Sequence, residues 1–193
     1  SYYAAAACIL LAVFLWQTMD NSMTITVPRG QQLTHVLPDG STVLLNAESI
    51  LEYQKDDWDE ERIVGLKGEA FFNVVSGQTF TVKTGNVETS VLGTAFNVYA
   101  RETMVEIACV SGKVKVQNQL FASSSVILTQ DVLCKVDQSD PVSNTETFES
   151  KQKTGWIAGE FYFSNAQLSE VFEEIERQFD IEIKFNEKIG SLL

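Results

Sequence analysis

From Thr24 onward, apolar residues alternate with polar ones or gather in short runs, and turn residues interrupt them. A period of two sends successive side chains to opposite faces of a strand, so the pattern predicts an all-β domain. Strands are expected at residues 24–27, 34–37, 42–46, 50–53, 62–67, 70–75, 79–83, 87–91, 95–100, 105–110, 113–117, 125–128 and 132–136. The breaks carry turn chemistry: Pro38-Asp39-Gly40-Ser41, Ser76-Gly77, Thr84-Gly85-Asn86 and Ser111-Gly112-Lys113. At Gly93-Thr94 two of the runs meet in a tight bend. Such a succession of short strands packs as an antiparallel sandwich or a solenoid-like stack.

The pattern changes at both ends. Residues 2–16 hold no charge and carry aromatics at each end, which suits a transmembrane helix with interfacial anchors. The run is short of the ~20 residues of a full span, and the chain starts at Ser1, so a further N-terminal portion is expected to precede it. A cleaved signal peptide fits less well, because no basic segment precedes the run and no small-residue cleavage site follows it. The flank 17–27 has Asp20 and no Lys or Arg, which places it away from the cytoplasm. At the other end, 159–164 alternates as a strand. Leu168, Val171, Phe172, Ile175 and Phe179 then fall at helical spacing, and Ile181, Ile183 and Phe185 alternate again. This predicts a β-α-β module whose helix is capped by Ser164 or Asn165, with Gln167 closing a capping box. The polar stretch 137–153 between the two patterns reads as a linker.

The expected organisation is therefore mainly β: a transmembrane helix at 1–19, an all-β domain at 20–136, a linker at 137–153 and a small α+β module at 154–193.

A net charge of −12 with no Lys or Arg stripe excludes nucleic acid as a partner of these residues. One histidine, His35, rules out a multi-histidine metal site and is expected as a surface or turn-flanking residue; no metal or cofactor is expected. Cys109 and Cys134 lie in strand-like segments and are read as core hydrophobes, with a bridge between them as the alternative. The acidic run 55–62 lacks the spaced donors and the Gly of a calcium loop, so it reads as a solvated hairpin tip with Trp58 folding back over the sheet. No nucleophile–base pair or phosphate-cradling loop is visible, which argues against an enzyme. A carbohydrate-binding module using Tyr53, Trp58 and Tyr99 as a stacking platform is a second reading.

Three blocks make the chain specific: Leu37-Pro-Asp-Gly-Ser-Thr-Val-Leu-Leu-Asn46, Leu66-Lys-Gly-Glu-Ala-Phe-Phe-Asn-Val74 and Glu88-Thr-Ser-Val-Leu-Gly-Thr-Ala-Phe-Asn-Val98. In this order and at these separations they resemble the periplasmic core of FecR-type anti-sigma regulators of Gram-negative bacteria, over about residues 27–116. Trp156-Ile-Ala-Gly-Glu-Phe-Tyr-Phe163 is similar to the entry of the STN-like module that ends many of them, of which a second repeat would complete the fold.

The resemblance implies a single-pass inner-membrane protein, anchored through residues 2–16, with residues 20–193 in the periplasm. It implies as partners the signalling domain of an outer-membrane TonB-dependent transporter and, through a cytoplasmic segment outside this sequence, an extracytoplasmic-function sigma factor. Exposed strand edges at Phe161, Tyr162 and Phe163 or at Ile181, Ile183 and Phe185 would take the transporter by strand addition. Some members cut themselves at a Gly-Thr bond, which points to Gly93-Thr94 as a single-turnover self-cleavage site.

Overall fold

The computed structural model describes residues 21–184 apart from positions 57, 122, 143 and 165. The apolar run at 2–16 and Phe185 lie outside the described residues. Thirteen strands form one continuous sheet. They are β1 (Ser22–Val27), β2 (Leu33–Val36), β3 (Thr42–Leu45), β4 (Ser49–Gln54), β5 (Arg62–Asn73), β6 (Phe80–Thr84) and β7 (Val87–Val91). Then follow β8 (Ala95–Arg101), β9 (Met104–Ser111), β10 (Lys113–Asn118), β11 (Ser125–Thr129), β12 (Val132–Asp137) and β13 (Thr145–Thr147).

The sheet folds over at β5. Its first half pairs with β4 and β6, and its second half with β3 and β8. Two half-sheets result, in the orders β1-β4-β5-β6-β7-β10-β11 and β2-β3-β5-β8-β9-β12-β13. The switch lies at Gly68, where φ is +98° and a Cβ would stand 2.4 Å from Ser49 Oγ and 2.7 Å from Ser49 Cα. Only glycine meets both conditions. Two strands expected on either side of this glycine are thus one, because hydrogen bonding continues through the bend on the other half-sheet. The β5–β6 pair is parallel, against the expectation of an antiparallel domain throughout.

One core fills the space between the half-sheets. Val64, Val82 and Leu128 from the first meet Phe72, Phe96, Ile107 and Cys134 from the second. Phe72 stacks on Phe96 at 5.1 Å between centroids and tilts against Phe80 at 6.0 Å. Each such side chain contributes roughly 1.5–3 kcal/mol by leaving water. Cys109 and Cys134 belong to this core as free thiols, pushed up to about 11 and about 12 chiefly by burial.

The stretch expected as a linker instead packs on the outer face of the second half-sheet. β13 extends β12, Phe148 is buried against Ala108 and Leu133, and α1 (Ser150–Thr154) leads into a 3-10 turn at Gly155–Ala158. The expected helix is present as α2 (Leu168–Phe179). Its N-cap is Gln167, three residues beyond the position expected from Ser164. The Gln167 side chain accepts from the N3 backbone N–H, and the Glu170 carboxylate accepts from Gln167 N–H at 3.3 Å.

The strands expected at 159–164 and 181–185 are not formed among the described residues. Gly159, at φ +75°, closes the 3-10 turn, and an alternating segment becomes a strand only where a sheet edge takes its backbone hydrogen bonds. Among the described residues neither 161–164 nor 181–184 pairs with a strand.

Candidate functional site

The three blocks that distinguish the sequence converge on one carboxyl group. Asn46 ends the first, Glu69 lies in the second and Asn97 in the third. In the fold Glu69 Oε2 accepts from Asn46 Nδ2 and Oε1 from Asn97 Nδ2, each at 2.8 Å. All three are buried. They are polar residues on the outer face of β5 and β8 and in the turn after β3, a face opposite the aromatic core. Burial pushes the Glu69 carboxyl up to about 7, against the lowering effect of the two amides.

The C-terminal segment covers this triad. Trp156 Nε1 donates to Asn97 Oδ1 at 3.2 Å, and Gln178 Nε2 of α2 donates to Asn46 Oδ1 at 2.9 Å. Gln32 Nε2 donates to the Trp156 carbonyl at 3.0 Å. Around the rim, Arg177 pairs with Glu48 at 3.0 Å and with Glu174, while Arg101 donates to the carbonyls of Ala47 and Glu48 at 2.9 and 3.1 Å. Gly30 N–H donates to the Arg177 carbonyl at 2.9 Å. The amphipathic pattern of α2 gave no sign of this arrangement, because it is the polar side chains of the helix that reach the β domain.

Gly93 and Thr94 link β7 of one half-sheet to β8 of the other, so the bend is a crossing between layers and not a hairpin. Gly93 lies so close to Ser76 that a Cβ would come within 2.3 Å of Ser76 Oγ and 2.8 Å of its Cα. Thr94 is buried, and its hydroxyl donates to the Lys113 carbonyl at 3.0 Å. Gly112, at φ +86°, faces it, and a Cβ there would meet Thr94 Oγ1 at 2.7 Å. The Val74 N–H donates to the Thr94 carbonyl at 3.0 Å, which pins the crossing to the end of β5.

Of the residues expected at a partner-binding edge, Tyr162, Phe163 and Ile181 are exposed, and Phe161 and Ile183 are half-buried. Phe161 meets Phe179 edge to face at 6.1 Å, and Phe179 is itself 60% exposed. The patch therefore offers aromatic side chains and not a strand edge. Phe185 is outside the described residues.

The expected sugar platform is not assembled. Tyr53 and Trp58 are buried edge to face at 5.2 Å in the core, while Tyr99 lies on the outer face of the second half-sheet. Trp58 does fold back from the acidic turn, as its sequence context suggested. His35 is half-buried rather than free at the surface, with Nε2 3.0 Å from the Tyr53 hydroxyl. Among the described residues there is no cluster of His, Cys, Asp and Glu able to hold a metal, and no helix long and apolar enough to cross a membrane.

Residues 23–115 match the family model described as FecR protein. Two crystal structures of a candidate anti-sigma factor from Parabacteroides distasonis are similar to the whole fold. One, at 2.50 Å, has a TM-score of 0.76 and 30% identity, covering 83% of this chain and 76% of that one. The other, at 1.65 Å, has a TM-score of 0.75 and 29% identity over the same shares. No curated protein matches the sequence.

Proposed function

The chain belongs to the FecR protein family, and from that premise we propose that it is an anti-sigma regulator that receives a signal outside the inner membrane. The observation that carries the reading is the likeness, at 30% identity and across 83% of the chain, to a protein described as a candidate anti-sigma factor. The apolar run at 2–16 anchors the chain once in the membrane, with residues 20–193 in the periplasm. The sigma factor it controls, of the extracytoplasmic-function class, is held on the cytoplasmic side.

The signal comes from the periplasmic signalling domain of an outer-membrane TonB-dependent transporter, and the C-terminal segment takes it in an STN-like manner. What supports this site is the exposure of the large apolar side chains Tyr162, Phe163, Phe179 and Ile181 on one segment, since apolar surface left in water marks a place that another element covers. Residues 21–193 used as bait in an outer-membrane extract should retain such a transporter, as identified by mass spectrometry. Tyr162→Asp with Phe163→Asp should abolish retention. Retention of no transporter by the native sequence, or undiminished retention by the double variant, contradicts the reading.

Self-cleavage at Gly93-Thr94 is a further part of the proposal. Thr94 Oγ attacks the Gly93 carbonyl carbon, the C–N bond breaks and the hydroxyl proton passes to the departing nitrogen. Water then hydrolyses the ester, leaving a carboxylate on Gly93 and a free amine on Thr94. Support comes from the crowding of Ser76 against Gly93 and from Gly112, whose lack of a side chain leaves room beside Thr94 Oγ1. Fragments ending at Gly93 and starting at Thr94 should be visible on a denaturing gel and absent from Thr94→Ala; identical bands in both would refute the step.

A further inference from the structure

We propose that the Asn46, Glu69 and Asn97 triad is a proton-linked latch for the C-terminal segment 155–179: the segment closes over Glu69 in its neutral form and is loosened when that carboxyl ionises. The latch stands independently of which partner the protein receives.

The geometry comes first. Two chains of hydrogen bonds run from the covering segment to the carboxyl, one from Trp156 through Asn97 and one from Gln178 through Asn46. The segment is therefore in contact with the ionisable group through single intermediaries. It is held otherwise by the Arg177 pair with Glu48, the backbone bond from Gly30, the Gln32 bond to the Trp156 carbonyl and the burial of the Trp156 ring, with Lys153, just before it, paired to Glu106. No large apolar side chain of α2 enters the core. A small change in the stability of the triad is thus a large fraction of what keeps the segment seated.

The electrostatics set the sign. Glu69 is buried with two amide donors, and neither neighbouring guanidinium bonds to it: Arg101 donates through Nη1 and Nη2 to two backbone carbonyls, and Arg177 pairs with Glu48 and Glu174. The amides favour the charged form, but loss of water outweighs them, and the carboxyl is raised to about 7. Lifting the segment returns water to Glu69 and moves it back toward its ordinary range.

The closed state binds the proton more tightly, so closure is fully stabilised below the ordinary value and weakens as pH rises through about 7. The charged and titratable groups facing Glu69 are Tyr99 and Arg101 on β8, Glu48 in the turn after β3, and Glu174 and Arg177 on α2. Burial raises Tyr99. In Glu48, burial is outweighed by the hydrogen bonds from Arg29 and Arg177, which lower it; neither residue can mimic a transition near neutrality.

Hydrogen exchange of residues 155–179 in the full chain, corrected for the intrinsic pH dependence of exchange, reads the latch directly. Between pH 4.5 and 8 the closing equilibrium should fall by up to about 140-fold, the factor that corresponds to complete re-exposure of the carboxyl over that range, while β8 and β9 keep their protection. Glu69→Gln should give a flat profile. A flat profile in the native protein, or the native slope in Glu69→Gln, overturns the proposal.

Should Glu69→Gln not fold, the carboxyl carbon-13 shift of Glu69 decides. Its midpoint should lie near 7 in the native protein and move toward the ordinary carboxylate range in Gln178→Ala and Trp156→Ala. An ordinary midpoint in the native protein, or an unmoved one in both variants, has the same adverse meaning.

Discussion

The half-sheet β3-β5-β8-β9-β12 has two faces, and they are covered by opposite chemistry. Its inner face presents Phe72, Phe96, Ile107 and Cys134 to a closed aromatic core. Its outer face presents Glu69, Asn97 and Glu106, with Asn46 beside them, roofed by a stretch in which Trp156 bonds to Asn97, Gln178 to Asn46 and Lys153 to Glu106. Apolar contact is non-directional and proportional to area, so the inner face holds under almost any condition. Hydrogen bonds and ion pairs depend on protonation and geometry, so the outer cover is conditional. The β fold supplies the permanent frame, and the C-terminal segment supplies the part that can respond.

Phe96→Ala should break the inner face, at a cost of about 3–5 kcal/mol in global stability by chemical denaturation. A cost no larger than that of an outer-face substitution would erase the distinction.

Arg62→Met tests the buried end of the same frame. Arg62 Nη1 pairs with Asp39 at 2.7 Å and donates to the Val75 carbonyl at 3.1 Å. Removing the guanidinium leaves the half-buried Asp39 carboxylate with Ser41 but no counter-charge, at a cost of about 3 kcal/mol in the same denaturation experiment.

The pH dependence of the two regions should run in opposite senses. Burial alone would raise Asp39, but hydrogen bonds from Ser41 and Arg62 hold it below its ordinary range. Its contribution is present above the unfolded carboxylate value and is lost as pH falls through the folded one. Global stability of the native protein should therefore decline in acid while closure of the C-terminal segment tightens. Arg62→Met should shrink the acid decline. Parallel pH profiles for core and segment would contradict the contrast.

Trp156→Ala should leave global stability within about 1 kcal/mol while amide protection of 155–179 collapses, because the outer cover can open locally without the core. Lys153→Met removes a partly exposed ion pair with Glu106, at 2.7 Å, and should change stability by at most about 0.5 kcal/mol. If either variant unfolded the domain globally, the cover would be part of the frame.

Period-two alternation placed eleven of the twelve strands from β1 to β12 within a residue or two of their bounds, since each needs only one buried face and a turn at its end. Heptad-like spacing likewise located α2. The split of β5 was the error, and its cause is specific: Gly68 reads as a break, whereas its φ of +98° lets one strand serve two half-sheets. The strands expected at 159–164 and 181–185 show the reverse, because alternation is local but pairing is not.

Of the candidate site, the blocks holding Asn46, Glu69 and Asn97 were visible as motifs, yet nothing local marked those three as partners, 23 and 28 residues from one another along the chain. Hydrophobic periodicity along the chain thus determined the strands of the β domain and the helix, and the three blocks carried the family resemblance. The tertiary structure alone decided that a polar face would be roofed, that one carboxyl would be closed off from water, and that a segment expected to form a β-α-β module of its own would do the covering. Burial and electrostatics depend on what lies across space, and a linear pattern carries that information only for neighbours a turn or a ladder apart.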